Sequence, residues 1–199
     1  GPESLRRMVS LLATPLAVRV AVVQHMPPVF TATLARRLDE LSTTARVVET
    51  IDGIPLERGR IHMAAGGCHL RTQRIQGVVK TADDGGAPGV PARSEFIVCR
   101  NDSSSPPKLG CRPSVDVLLE SMVATYGGRL LAVILTGMGH DGADGCAAVR
   151  AAGGTVVAQV AGEYAVYGMP KAVIERGLAD AVMSVAEIAA LLSAGRALR

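Results

Sequence analysis

Leu130-Leu131-Ala132-Val133-Ile134-Leu135-Thr136 runs directly into Gly137-Met138-Gly139-His140-Asp141-Gly142, and this junction decides the fold. A short, continuous apolar run is the pattern of a strand buried on both faces of a parallel sheet. The glycines that follow break the strand, and helical periodicity then continues to Ala152. Thr155–Gln159 reads as the next strand. Strand, loop, helix and strand make a βαβ unit, whose crossover is expected to be right-handed.

The same grammar extends outward in both directions. Ser114 is placed to N-cap a helix reaching about Tyr126, with Val115, Leu118, Leu119 and Met122 facing inward. At the start, Pro2–Leu12 reads as a helix with Pro2 in its first turn and Leu5, Met8, Val9 and Leu12 on one face. Val18–Val23 follows as a buried strand, Phe30–Leu41 as a helix and Ala45–Glu49 as a strand. Towards the end, Pro170–Arg176 is a short helix stopped by Gly177, and Ser184-Val185-Ala186-Glu187 has the form of a capping box.

The middle differs. Arg60–Ala65, His69–Gln73, Val78–Lys80 and Glu95–Arg100 are short strand candidates between Gly, Pro and Asp clusters, the pattern of hairpins. Asp83–Ala92 and Asn101–Gly110 read as mobile loops. The expectation is an α/β fold: a doubly wound, mostly parallel sheet in a Rossmann-like three-layer arrangement, with a β-hairpin insertion, as a single domain over residues 1–199.

Composition narrows the function. At 48% hydrophobic and 20% charged residues the chain has globular proportions. Its five aromatic residues include no Trp, and its net charge is only +3, which disfavours a nucleic-acid module built on stacked bases. No apolar run approaches the roughly 20 residues of a bilayer span, and the first residues lack a signal-peptide core. Cys68, Cys99, Cys111 and Cys146 are scattered without a C-x-x-C pair, so free thiols are expected, with neither zinc nor disulfides. No cofactor or metal is expected.

Chemistry in such sheets gathers at the carboxyl ends of strands. Two ends carry reactive side chains: Gln24-His25-Met26-Pro27-Pro28, where the prolines delay any helix, and the loop holding Asp141. A His and an Asp so placed could pair, the carboxylate fixing the imidazole tautomer. The alternatives are a structural His25 and an Asp141 that merely caps a helix. Gly137-Met138-Gly139 lacks both the G-x-G-x-x-G spacing and a P-loop ending, leaving nucleotide binding a weaker reading. Asp141 and Asp144 do not match an EF-hand loop. His62 and His69 read as structural, and Ser103-Ser104-Ser105 as a flexible turn.

Taken in order, Gln24-His25-Met26-Pro27-Pro28, Arg112-Pro113-Ser114-Val115-Asp116, Thr136-Gly137-Met138-Gly139-His140-Asp141-Gly142 and Tyr167-Gly168-Met169-Pro170 resemble the catalytic domain of the chemotaxis receptor methylesterases, the CheB family. The resemblance covers nearly the whole chain and implies a cytoplasmic serine hydrolase. Its substrates would be γ-glutamyl methyl esters on methyl-accepting chemotaxis receptors, its product methanol, and receptor glutamine deamidation a further activity. By motif, His25 would be the general base, Asp141 its orienting carboxylate and the Met138 N–H an oxyanion donor. The family's nucleophile lies in a Gly-x-Ser-Thr-Gly-Gly turn after the first strand, and Gly1 aligns with the last glycine of that turn. The strand and serine are therefore expected ahead of residue 1, since Ser4 and Ser10 fall on a helix and Ser114 on a cap. A receptor-binding module without catalysis is the alternative. A receiver domain or chemotaxis kinase would be a partner outside this chain. Neither nucleic acid nor a membrane is an expected partner, and a monomer is.

Overall fold

The computed structural model describes residues 1–79, 92–162 and 166–195. Pro2–Ser10 forms α1, which buries Leu5, Met8 and Val9 as their spacing predicts. Val20–Val22 forms β1, Pro28–Leu41 α2 and Arg46–Glu49 β2. The helix begins earlier than expected, because Pro27 serves as its N-cap and Pro28 takes the first helical position, where a missing N–H costs nothing. Arg60–Met63 forms β3, His69–Val79 β4 and Ala92–Asp102 β5.

In the second half, Val115–Tyr126 is α3, Leu131–Ile134 β6, Ala143–Ala151 α4 and Thr155–Gln159 β7. Gly168–Glu175 then forms α5, Ala181–Met183 β8 and Val185–Ala194 α6. The capping box at Ser184 and Glu187 is formed in both directions.

Two three-stranded parallel sheets, ordered β1-β3-β2 and β6-β7-β8, carry the layers, and β4-β5 forms a separate antiparallel ribbon. Helices α1, α2 and α6 pack on one side around Leu38, Ile61, Val157 and Ile188. On the other side α3, α4 and α5 enclose Cys146, Val149, Val156 and Val173. Neighbouring residues of β7 alternate between these two cores, as a strand covered on both faces requires.

Three expectations need correction. Arg60–Met63 is no hairpin arm: it is the central strand of a parallel sheet, paired with β1 and β2 on its two sides. His69–Gln73 and Val78 are not separate strands, since β4 runs unbroken from His69 to Val79 opposite β5. Finally, β1 is only three residues long and half-buried rather than fully enclosed.

That half-burial has a structural cause. Among the described residues β1 pairs only with β3, and β6 only with β7, so one edge of each faces the other sheet. Between them lies a cavity of about 720 Å³ lined by Val20, Val22, Leu131, Val133, Leu5 and Met8. The cavity reaches His25 and Thr136 at the carboxyl ends of the two strands.

The Asn101–Gly110 segment is better fixed than expected. Asp102 accepts hydrogen bonds from the N–H and hydroxyl groups of both Ser104 and Ser105. The expected loop at Asp83–Ala92 lies, apart from the backbone of Ala92, outside the described residues. Among the described residues no helix is long and apolar enough to cross a membrane.

Candidate active site

His25 follows β1 and Asp141 follows β6, so the carboxyl ends of two different sheets supply the pair. His25 Nε2 lies 2.7 Å from Asp141 Oδ2. The imidazole side chain is 25% exposed and the carboxylate 3%, which leaves one face of the ring open above a buried anion. With Nε2–H donating to Asp141, a neutral ring keeps its lone pair on Nδ1, the nitrogen free to take a proton.

Asp141 is held from the opposite side by the start of α3. Ser114 Oγ donates to Oδ1 at 2.7 Å, Val115 N–H to Oδ2 at 2.7 Å, and Asp116 N–H to Oδ1 at 3.1 Å. These are otherwise orphaned donors at a helix N-terminus, which favours an anion. Burial pushes the Asp141 carboxyl up, but the hydrogen bonds outweigh it, led by that of His25, and hold it at about 2. The arrangement is reciprocal, because Gly145 N–H at the start of α4 donates to Asp116 Oδ1 at 2.7 Å. Asp116 is fully buried, and that burial raises its carboxyl above the usual range. Each helix start therefore binds a carboxylate presented by the other.

The loop between β6 and α4 is shaped by two close approaches made at glycines. A Cβ on Gly137 would lie 2.3 Å from Met169 Sδ, and one on Gly168 would lie 2.8 Å from Gly139 N. Met169 N–H donates to Gly137 O at 2.9 Å, and Thr136 N–H to Gln159 Oε1 at 2.9 Å. Thus the Tyr167-Gly168-Met169-Pro170 motif props the loop from behind.

Gly142 adopts φ +99°, and a Cβ there would sit 2.8 Å from Val115 Cγ1. Gly142→Ala is expected to cost at least about 1–2 kcal/mol in left-handed strain. Thermal melting should fall by about 2–4 °C per kcal/mol in a domain of this size. An unchanged melting temperature would show that the loop can be rebuilt without this conformation.

Met138 lies on the same loop with its side chain 80% exposed, and its N–H has no hydrogen-bond partner among the described residues. His62 and His69 are fully buried elsewhere. His62 Nε2 accepts from Glu57 N–H, and His69 Nε2 donates to Pro106 O, both consistent with structural roles. Ser4 and Ser10 are on α1, and Ser4 is buried.

Over residues 1–192 the chain matches the family model described as CheB methylesterase. The chain belongs to the CheB methylesterase family. It is 41% identical over 189 residues to a protein-glutamate methylesterase/protein-glutamine glutaminase of Symbiobacterium thermophilum, covering 95% of this chain and 46% of that protein. A second such protein, from Methanosarcina acetivorans, is 38% identical, with 95% and 49% covered. The chain therefore spans about half the length of the curated relatives it matches. The crystal structure of the Thermotoga maritima CheB methylesterase catalytic domain superposes with a TM-score of 0.83 at 36% identity, covering 98% of this chain and 92% of that one.

Two neighbours of the His25–Asp141 pair escaped sequence reasoning. Ser114 is both the cap of α3, accepting from Val117 N–H, and a donor to Asp141. Its place in Arg112-Pro113-Ser114-Val115-Asp116 was a signal, because a helix start with a free hydroxyl is a ready anion site. Cys111 is the other. Its thiol, His25 and Asp141 bring donor atoms within 4.8 Å of one another, a neighbourhood that no sequence spacing announces.

Proposed function

We propose that this chain is the catalytic portion of a protein-glutamate methylesterase acting on chemotaxis receptors in the cytoplasm. The observation that carries the reading is the 2.7 Å His25–Asp141 pair at the carboxyl end of the cavity between β1 and β6. A strand occupying that cavity parallel to both edges would join the two sheets and satisfy backbone groups otherwise left at their edges. Its chain would continue into Gly1, the N-cap of α1. A serine on that turn would face His25.

The reaction then has two stages. Serine Oγ attacks the ester carbonyl while His25 Nδ1 takes its proton, and the Met138 N–H helps to bind the oxyanion. Collapse expels methanol, protonated by His25, and leaves a glutamyl ester on the serine. Water, deprotonated in turn by His25, attacks the acyl carbon; the bond to serine Oγ breaks, His25 returns the proton to that oxygen, and the glutamate carboxylate is released. Asp141 holds the ring and balances the imidazolium charge throughout. A glutamine side chain would follow the same course and release ammonia.

The test is methanol release from methylated receptors by the protein expressed from its complete reading frame, paired with fluorophosphonate labelling. One labelled serine, located by peptide mapping in the turn ahead of Gly1, is the expected outcome. Receptor binding with neither labelling nor methanol would establish the non-catalytic module instead. That second reading is favoured by one observation: Ser114, the serine whose hydroxyl donates to Asp141, is itself fully buried.

A further inference from the structure

Cys111 stands just before the Arg112-Pro113-Ser114 turn that leads into α3, and its free thiol is partly exposed. One ligand atom from each of Cys111, His25 and Asp141 falls in a cluster no wider than 4.8 Å. We propose that this cluster is a binding site for a single divalent cation of the zinc class, and that occupancy switches off the His25 base. Nothing in the proposed esterase mechanism uses Cys111.

The donor set fits that class of ion. Thiolate, imidazole and carboxylate together suit Zn²⁺, whereas Ca²⁺ and Mg²⁺ require mostly oxygen. Three protein ligands with an open fourth position is the arrangement of accessible zinc sites. His25 and Cys111 both reach solvent, which gives the ion an entry path. Thiolate and carboxylate also balance a double positive charge.

The bonds already made at Asp141 favour the same reading. Its oxygens accept from Ser114, Val115 and Asp116 in addition to His25. An ion between Asp141 Oδ2 and His25 Nε2 replaces only the proton now shared there. The three remaining bonds stay as the outer shell that orients a ligating carboxylate.

Proton movements explain the effect on chemistry. Zinc binding releases the Cys111 thiol proton to solvent, and the imidazole proton moves from Nε2 to Nδ1 through water. Nδ1 then carries a hydrogen instead of a lone pair, and cannot accept one from a nucleophile.

The deciding experiment is Zn²⁺ affinity of the protein from its complete reading frame, measured by competition with a chromophoric chelator. Co²⁺ serves as a spectroscopic probe for a thiolate-to-metal charge-transfer band. The parent is expected to bind one ion and to show the band. Cys111→Ser and Cys111→Ala should each lose the band and weaken Zn²⁺ by more than about 100-fold, beyond the cost of losing an outer-shell partner. Cys68→Ser, outside the cluster, should behave as the parent does. Parent protein that binds no Zn²⁺, or a Cys111→Ser variant that binds as tightly as the parent, overturns the proposal. The binding arm needs no esterase activity, so it can fail or succeed independently of the methylesterase reading. In the activity arm, Zn²⁺ should inhibit the parent reversibly, with chelator restoring turnover. Cys111→Ser should turn over at the same rate with Zn²⁺ as with chelator.

Discussion

Replacing His25 by alanine is expected to lower kcat for methyl ester hydrolysis by about 10⁶-fold, the scale seen when the base of a serine hydrolase is removed. The fold should survive. The ring is part-exposed, and its bond to Asp141 is one of four that the carboxylate accepts. A single charge-assisted hydrogen bond contributes about 1.5–3 kcal/mol, so melting should fall by several degrees without loss of cooperativity. The decisive comparison is rate against stability in the same preparation. A rate loss below about tenfold would remove His25 from the chemistry, and collapse of the fold would make it a structural residue.

Asp141→Asn is expected to act on both quantities. The amide has one acceptor oxygen where the carboxylate has two. If its NH₂ replaces Oδ2, it faces the N–H of Val115, and the imidazole must turn its donor elsewhere. If it replaces Oδ1, it faces the N–H of Asp116, while the Ser114 hydroxyl can rotate to accept. Either way one backbone donor loses its partner, at about 1–3 kcal/mol, and in the first orientation kcat should also fall by about 10⁴-fold through the wrong tautomer. Acid should narrow the stability gap. The Asp141 carboxyl sits at about 2 in the fold against an ordinary aspartate value of 3.8. Its contribution is therefore fully present above the unfolded value and is lost as pH falls towards the folded one. That shift corresponds to about 2 kcal/mol. Urea denaturation of parent and variant at neutral pH and near pH 3 checks this. A gap that stays constant would mean that Asp141 gains nothing from its ionised form.

Much of this was legible before any coordinates. Caps and periodicity located α1, α3 and α6, and the apolar runs located β6 and β7, because those signals are local. His25 and Asp141 could be paired because strand ends in such sheets converge. The failures have physical causes of their own. β3 carries a buried His62 in a four-residue strand preceded by Glu57, Arg58 and Gly59, so it looked like half a hairpin. Gly77 and the polar Arg74 and Gln76 seemed to interrupt β4, yet an antiparallel partner supports a strand through such a stretch. β8 has only three residues, too few for a pattern. The approach of Cys111 to His25 depends on how the turn before α3 meets the end of β1, a tertiary event with no counterpart in spacing.

The bonding of Asp141 also bears on how a descendant of this chain could decay. A copy released from any catalytic duty could lose His25 at little cost to folding. It could not so easily lose Asp141, because the start of α3 is fastened to that carboxylate at three points besides the imidazole. An inactive paralogue would therefore be expected to keep the acid long after the base has drifted. Among sequences of this kind, a surviving aspartate at this position testifies to a folded protein, and a surviving histidine to a working one.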